Sequence, residues 1–396
     1  MTEDHSAAAS AVGYSHQTAW ALLELLRQAP ERPDQQITLE MHDDVAWERD
    51  GVPLELTQVK HHGKAGGLGD RSDDLWRTLK VWMDSAYCND SEGPLMGLVT
   101  TNYAKTGTVA FFLSSDETKR NTAKAVKLLD EAALDSKNST TAKARAQWTA
   151  RTASNNLRLA DRIRVFDSSP AAQDVDEAVG RALLWATPSE HKDTFLGLVT
   201  RWWNRVSLDI LTKRRTAIAT LDAQREISII RDSFSTDSLP TLVEPLSSEE
   251  EQDVFTSHDD RAFVHQVRWV GGTPTALRKA TADYFRAISQ GTLWLDTHLI
   301  GMSELQVYER NIRDEWERAF DEMEQDLPED ADENQKRAAG LNLFRRLQSS
   351  LSVSIRRNYT EVFYARGKRH ELAERHMLGW HPDFESKLRQ LTVDSE

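Results

Sequence analysis

Ile37-Thr38-Leu39-Glu40-Met41-His42-Asp43-Asp44-Val45-Ala46-Trp47-Glu48, then Arg49-Asp50-Gly51, then Val52-Pro53-Leu54-Glu55-Leu56-Thr57-Gln58-Val59-Lys60, running on into His61-His62, is the stretch whose reading decides the fold. Its odd positions Ile37, Leu39, Met41, Val45 and Trp47 are apolar, with Asp43 the exception. The even positions Thr38, Glu40, His42, Asp44 and Glu48 are polar, with Ala46 the exception. Period-two alternation predicts a strand with Glu40, His42 and Asp44 on one face. Asp-Gly between two such runs signals a hairpin, and a three-residue loop Arg49-Asp50-Gly51 is expected. Glu48 then pairs with Val52, and counting back sets Asp44 opposite Leu56, His42 opposite Gln58 and Glu40 opposite Lys60. A two-residue loop would move every side chain to the other face. With the expected parity, a carboxylate, an amide oxygen and an ammonium converge on one patch. Such a patch can hold a hard divalent cation beside a lysine.

The rest of the chain sets bounds on that reading. Its 396 residues are enough for two or three domains and a sizeable core. The 39% hydrophobic and 28% charged content fits an ordinary globular protein. A net charge of −14 disfavours indiscriminate binding of nucleic acid over the whole surface, so DNA binding would need a local basic strip. The single cysteine, Cys88, excludes an internal disulfide and a multi-thiolate zinc site, and a reducing cytoplasm is the expected location. No apolar run approaches the roughly 18 residues of a membrane span, and Met1 to Gly13 lacks the features of a signal peptide.

Met1 to Val12 is expected to lack order. A helix is expected from Ser15, with Ala19, Leu22, Leu23 and Leu26 on one face, stopped by Pro30 and Pro33. His61 to Gly69 reads as a flexible glycine-rich connector without the ending of a phosphate-cradling loop. Ser72-Asp73-Asp74 should cap a helix bearing Leu75, Leu79 and Trp82. Leu95 to Thr101 and Thr108 to Leu113 read as strands, with Ile163 to Phe166 a further one, and alternation with helices predicts a mixed sheet flanked by helices. Between Ser115 and Arg164 the chain turns helical and basic (Lys119, Arg120, Lys124, Lys127, Lys137, Lys143, Arg145, Arg151, Arg158, Arg162, Arg164). That stretch either tracks a DNA backbone or is a solvated helical face. Helices are expected from about Asp174 and over Phe195 to Leu211. A Pro/Ser/Glu-rich linker is expected from Leu239 to Glu251. Thr275 to Met323 has helical periodicity interrupted at Gly291 and Gly301, and Asp321 to Glu333 reads as a solvated acidic loop. Trp202, Trp203, Trp294 and Trp316 are expected to anchor helix packing. His370, His376 and His381 with Cys88 do not form a metal-ligand spacing; His381-Pro382 reads as a structural turn or a docking surface.

Asp44 followed by Gln58-Val59-Lys60 resembles the Asp…(Glu/Gln)-x-Lys signature of the PD-(D/E)XK nucleases, in the variant where Gln replaces the second acid. Gly13-Tyr14-x-x-Gln17, Leu39-Glu40-x-x-Asp43-Asp44-Val45 and Gln58-Val59-Lys60-His61-His62 are similar to the nuclease domain of the double-stranded-DNA endonucleases of cyclic-oligonucleotide antiphage defence (CBASS). Arg366-Gly367-x-x-His370-x-Leu372-Ala373 and Gly379-Trp380-His381-Pro382 resemble the C-terminal region of nuclease proteins in the bacterial ABC-three-component systems.

The resemblance implies an α/β restriction-endonuclease-like N-terminal domain (residues 13–170), a helical connector (171–240) and a mostly α-helical C-terminal interaction domain (241–396). It implies a metal-dependent endodeoxyribonuclease, cutting double-stranded DNA with metal-activated water. Asp44 and Gln58 would ligate Mg²⁺ or Mn²⁺ through side-chain oxygens and Val59 through its carbonyl, while Lys60 orients the water. Glu40 is either an extra catalytic carboxylate or a salt-bridge partner of Lys60. Asp43 reads as a turn or bulge device, and His61 and His62 as exposed loop residues or phosphate or metal contacts. Tyr14 and Gln17 either brace the hairpin or pack. An ABC-type ATPase and a small third component are the implied partners, and cutting both strands implies a homo-oligomer. The alternatives are a catalytically inactive DNA-binding or scaffolding subunit, and an RNase or single-strand nuclease on the same fold.

Overall fold

A computed structural model describes residues 7–62, 65–134, 138–350 and 352–393. Gly63 and Lys64 of the glycine-rich connector, Lys137 of the basic stretch and Met1 to Ser6 of the expected disordered start lie outside them. By internal contacts the chain forms two compact units, Met1–Thr187 with Phe195–Ile229, and Pro188–Thr194 with Ile230–Glu396.

The first unit runs α1 (Ala7–Gln28), β1 (Gln36–Leu39), β2 (Val45–Arg49), β3 (Val52–Lys60), α2 (Asp73–Asp84), β4 (Leu95–Thr100), α3 (Val109–Phe112), α4 (Thr122–Ala133), α5 (Ala142–Ala150), α6 (Ala153–Arg162), β5 (Ile163–Phe166), α7 (Ala172–Ala182), α8 (Lys192–Leu211), β6 (Ile218–Ala219) and α9 (Thr220–Asp232). The last residues of α9 and the first of α8 fall in the second unit. Helix α1 begins at Ala7, ahead of the expected Ser15, because the alanine-rich start is itself a strong helix former. Six strands form one mixed sheet in the order β5-β4-β3-β2-β1-β6. Strands β1, β2, β3 and β6 pair antiparallel, whereas β4 runs parallel to both β3 and β5. Met96, Leu98 and Val99 of β4 are fully buried, as befits a strand covered on both faces.

Helices cover both faces of the sheet. Leu75, Trp76, Leu79 and Trp82 of α2 join Met96 and Leu98 in one apolar cluster with residues of α4, α5 and α6. Each such large side chain contributes about 1.5–3 kcal/mol on burial. Glu55 and Trp47, paired across β2 and β3, point to the opposite face, which α1 covers. Thr108 to Leu113 is not a strand. The Thr108 side chain accepts the Phe111 N–H and starts the one-turn helix α3, so an apolar run of strand length is helical here. The helices of residues 171–240 do not stand apart from the sheet, since α7, most of α8 and most of α9 belong to the first unit.

The second unit is helical: α10 (Ser248–His258), α11 (Ala262–Trp269), α12 (Pro274–Asp296), α13 (Met302–Gln325), α14 (Glu333–Ser349), α15 (Val362–Glu374) and α16 (Phe384–Val393). The expected linker at Leu239 is pinned. Gln290 Oε1 accepts the Leu242 and Val243 N–H groups, and Trp294 Nε1 donates to the Pro240 carbonyl. Ser247 and Glu250 then close a capping box on α10. Gly291 does not break α12, and the acidic run is loop only from Asp326 to Asp332, since Asp321 lies in α13 and Asp332 caps α14.

The C-terminal motif is core structure. A Cβ at Gly367 would lie 2.0 Å from the Asp283 carbonyl, so α15 approaches α12 backbone to backbone only through glycine. His370, Trp380 and His381 are fully buried, and Trp316 Nε1 donates to the Gly379 carbonyl. Trp203, Trp294 and Trp316 are buried anchors, and Trp202 is partly buried.

Candidate active site

The hairpin differs from the expected one in two ways that cancel. The turn has two residues, Asp50 and Gly51, both at positive φ (52° and 79°), and Arg49 pairs with Val52. That alone would send the polar set to the wrong face. A bulge between Trp47 and Glu48 then shifts the register, so that Trp47 pairs with Glu55 and Val45 with Thr57. The bulge restores the parity that the turn removed, and Asp44 arrives beside Gln58 instead of opposite Leu56. The expected first strand is also divided. Leu39 pairs with Val45, so Glu40 to Asp44 is the loop of a second hairpin, entered through Glu40 at φ 52°. His42 and Glu40 therefore do not face Gln58 and Lys60 across a ladder.

At the end of β3, Asp44 meets three groups. Its Oδ1 lies 3.1 Å from Gln58 Nε2, its Oδ2 accepts the Val59 N–H at 2.9 Å, and Lys60 Nζ is 3.7 Å from the same Oδ2. Lys60 Nζ also donates to Gln58 Oε1 at 2.6 Å. A strand residue points its N–H and C=O to the same edge, so the Val59 carbonyl faces the Asp44 side, beyond the last β2 pair. Asp44, Gln58 and Lys60 thus come together, with Val59 at their rim. The side chains of Lys60 and Asp44 are 28% and 20% exposed, open enough to meet a ligand. Gln58 turns its NH₂ to Asp44 and its oxygen to Lys60, the orientation their charges dictate.

Asp43, expected to serve the turn, is part of the same cluster. It accepts from Gln58 Nε2, from the Asp44 N–H at 2.9 Å and from the buried Trp82 indole at 3.2 Å. Burial pushes its carboxyl above the usual range, against the lowering effect of the Gln58 and Asp44 hydrogen bonds. Trp82 was legible only as a packing residue. Asp43 had one signal, its break in the alternation.

Gln17 on α1 braces the loop: its Nε2 donates to Glu40 Oε1 at 2.8 Å and to the Asp44 carbonyl at 2.9 Å. Among the described residues no ion pair joins Glu40 to Lys60. Glu40 borders the site through Gln17, and its charge, after burial, raises the Tyr14 hydroxyl. His42 pairs with Glu48, away from the cluster. His62 contacts Asp74 at 2.5 Å, and the His61 ring lies 4.6 Å from His16. Burial lowers both His16 and His61, favouring neutral rings.

Part of the basic stretch is structural, while Lys119, Lys124, Lys127, Lys143 and Arg158 are exposed. Arg120 donates to the carbonyls of Leu113, Ala160, Asp161 and Ile163, closing the C-terminal end of α6, and Arg162 binds those of Pro94 and Tyr87. Arg145 is buried. Elsewhere, Glu333, His381 and Asp383 bring possible metal-ligating atoms within 4.8 Å of one another. His381 Nδ1 accepts the Asp383 N–H, so Nε2 carries the ring proton, 3.5 Å from Glu333 Oε1. Lys336 pairs with Asp383 and Lys387 with Glu333, while His381 Nε2 is buried without a hydrogen-bond partner.

Residues 6–81 match the family model of the Cap4 double-stranded-DNA endonuclease domain, and residues 263–388 match that of C-terminal domain 7 of the ABC-three-component systems. The chain joins a Cap4-type nuclease domain to an ABC-three-component C-terminal domain. All of Gln17, Glu40, Asp43, Asp44, Gln58, Lys60 and His62 lie inside the Cap4-type span, and the buried Gly367 and Gly379 motifs lie inside the C-terminal one. Among solved structures, the Cap4 SAVED/CARF-domain containing receptor of Moraxella osloensis is similar, with 18% identity and a TM-score of 0.37 over 72% of this chain and 62% of that one. This chain thus spans less than two thirds of that receptor's length. No curated protein matches the chain.

Proposed function

We propose that this chain is a metal-dependent DNA endonuclease, the effector of a bacterial antiphage system, built on a restriction-endonuclease-like PD-(D/E)XK domain. One observation carries the reading: Asp44, Gln58 and Lys60 converge at the end of one strand within the span that matches the Cap4 endonuclease model. The oxygen donors present fit a hard cation such as Mg²⁺ or Mn²⁺. They are the Asp44 carboxylate, the strand-edge carbonyl of Val59 and, once its amide is rotated by half a turn, Gln58 Oε1.

A divalent cation held there supplies positive charge beside the scissile phosphate. Lys60, freed from Gln58 Oε1 by that rotation, orients the attacking water and stabilises the charge that grows on the non-bridging oxygens. The water attacks phosphorus in line and gives up a proton to solvent, the P–O bond to the leaving sugar oxygen breaks, and that oxygen takes up a proton from solvent. Asp44 fixes the edge of β3 through the Val59 N–H, and Gln17 holds the Asp44 backbone. Glu40, held by Gln17, is an acid bordering the site.

The C-terminal match supports a place in an ABC-three-component system, with an ABC-type ATPase and a small third component as partners and a cytoplasmic location. Among the described residues no helix is long and apolar enough to cross a membrane. Cutting both strands calls for two copies of the site, hence a homo-oligomer on DNA. A second reading, a catalytically inactive DNA-binding or scaffolding subunit, draws on the amide of Gln58, whose NH₂ faces Asp44. Incubating the full chain and the products of its neighbouring genes with supercoiled plasmid and Mg²⁺ or Mn²⁺ separates the two. Nicking that is lost in Lys60→Ala while DNA binding persists supports the endonuclease. No cutting under any of these conditions, with binding intact, supports the second reading.

A further inference from the structure

We propose that Asp43 supplies the second carboxylate of this cation site, carrying the charge that Gln58 lacks. The inference rests on the nuclease reading and deepens it. The Gln58 NH₂ group bonds Oδ1 of Asp43 and Oδ1 of Asp44 at once, so a single nitrogen stands between two carboxylates. A neutral amide there satisfies hydrogen bonds but leaves two negative charges side by side. Lys60 reaches Asp44 alone, 3.7 Å from its Oδ2. Among the described residues no lysine or arginine pairs with Asp43; its partners are the Gln58 amide, the Asp44 N–H and the Trp82 indole, all neutral. Adjacent carboxylates with one cationic partner between them repel, and a divalent ion removes that repulsion.

Asp43 is also held as a ligand is held. The Trp82 indole, 1% exposed, fixes Oδ2, and the Asp44 N–H fixes Oδ1 from within the same loop. Outer partners of this kind orient a coordinating carboxylate. The left-handed Glu40 and its tie to Gln17 shape the loop that turns Asp43 to the same side as Asp44. When the Gln58 amide rotates, its oxygen takes the place of the nitrogen, so oxygens of Asp43, Asp44 and Gln58 face one another, an arrangement that a cation among them would hold together. The sequence places the acid one residue before Asp44 rather than two before Lys60.

The test is Mn²⁺ binding to the full chain, followed by electron paramagnetic resonance of the free ion, with plasmid nicking measured alongside. Asp43→Asn is expected to weaken Mn²⁺ binding about tenfold or more, as Asp44→Asn does. Adding Gln58→Glu to Asp43→Asn is expected to restore binding, because the charge returns at the neighbouring position; a purely structural Asp43 would not be rescued that way. Asp43→Ser, which keeps an oxygen for the Asp44 N–H, gives the same comparison if an asparagine disturbs Trp82. Mn²⁺ binding at the wild-type level in both Asp43 variants, with binding lost in Asp44→Asn, overturns the inference and leaves the nuclease reading standing. Neither binding nor nicking by the wild-type chain overturns both.

Discussion

Glu24 offers a prediction that needs no ligand. It lies on α1 over the face of the sheet where Trp47 and Glu55 pair, and it shares Arg32 with Glu55. Arg32 donates to Glu55 Oε2 at 2.7 Å and lies 4.9 Å from the centre of the Trp47 ring. Burial, and then the negative charge of Glu55, raise the Glu24 carboxyl to about 7 from an ordinary value of 4.5, against the pull of Arg32. The folded state therefore holds this proton more tightly than the unfolded chain does. The resulting stability is fully present below about pH 4.5 and is lost as the pH rises through about 7. At roughly 1.4 kcal/mol per pH unit, the difference amounts to about 3 kcal/mol at pH 8. Glu24→Gln removes the titration while keeping the shape. Urea unfolding of both proteins, followed by tryptophan fluorescence at pH 4.5, 6 and 8, should show little difference at the lowest pH. At pH 8 the variant should be more stable by up to about 3 kcal/mol. Equal destabilisation by Glu24→Gln at all three pH values would refute the reasoning, since it would mean that an ionised Glu24 stabilises through Arg32.

Two further outcomes follow from the same geometry. Gln17→Ala should leave the unfolding midpoint unchanged yet slow single-turnover plasmid cutting by about 10–100-fold, because the Glu40 to Asp44 loop loses its brace; an unchanged cutting rate would assign Gln17 to packing alone. Arg120→Met should destabilise the first unit by roughly 2–4 kcal/mol through four stranded carbonyls, while the salt dependence of DNA affinity, read by fluorescence anisotropy, stays the same. A shallower salt slope with unchanged stability would restore Arg120 to a phosphate-contacting role.

Strand β3 and the site's two most informative residues were legible because Gln58 and Lys60 sit two apart on a strand, and alternation survives any change in the partner strand. The first strand was harder to read. The polar–apolar alternation runs on through Glu40 to Asp44, although those residues turn the chain; exposed Met41, at 56%, mimics an inward position by hydropathy alone. The two breaks in the pattern, Asp43 and Ala46, flank the point where β2 begins, and they were the available sign of a turn. The parity came out right on the wrong path, with the register two residues from the expected one. Turn length is local chemistry, set by Asp50-Gly51, but the bulge at Trp47 is fixed by packing, which a single sequence does not display. Thr108 to Leu113 failed for a related reason, since five apolar residues after a threonine suit a capped helical turn as well as a strand. In the second unit, Leu239 to Val243 looked like a linker because its hydrogen-bond partners, Gln290 and Trp294, lie about fifty residues away.

The central claim is geometric, and crystals of the full chain soaked in Mn²⁺ and measured at the manganese absorption edge test it most directly. The account predicts an anomalous peak about 2.1–2.3 Å from an Asp44 oxygen, near the Val59 carbonyl and within reach of Asp43. No peak there, in crystals of a protein that cuts plasmid with the same Mn²⁺, would place the chemistry elsewhere and contradict it.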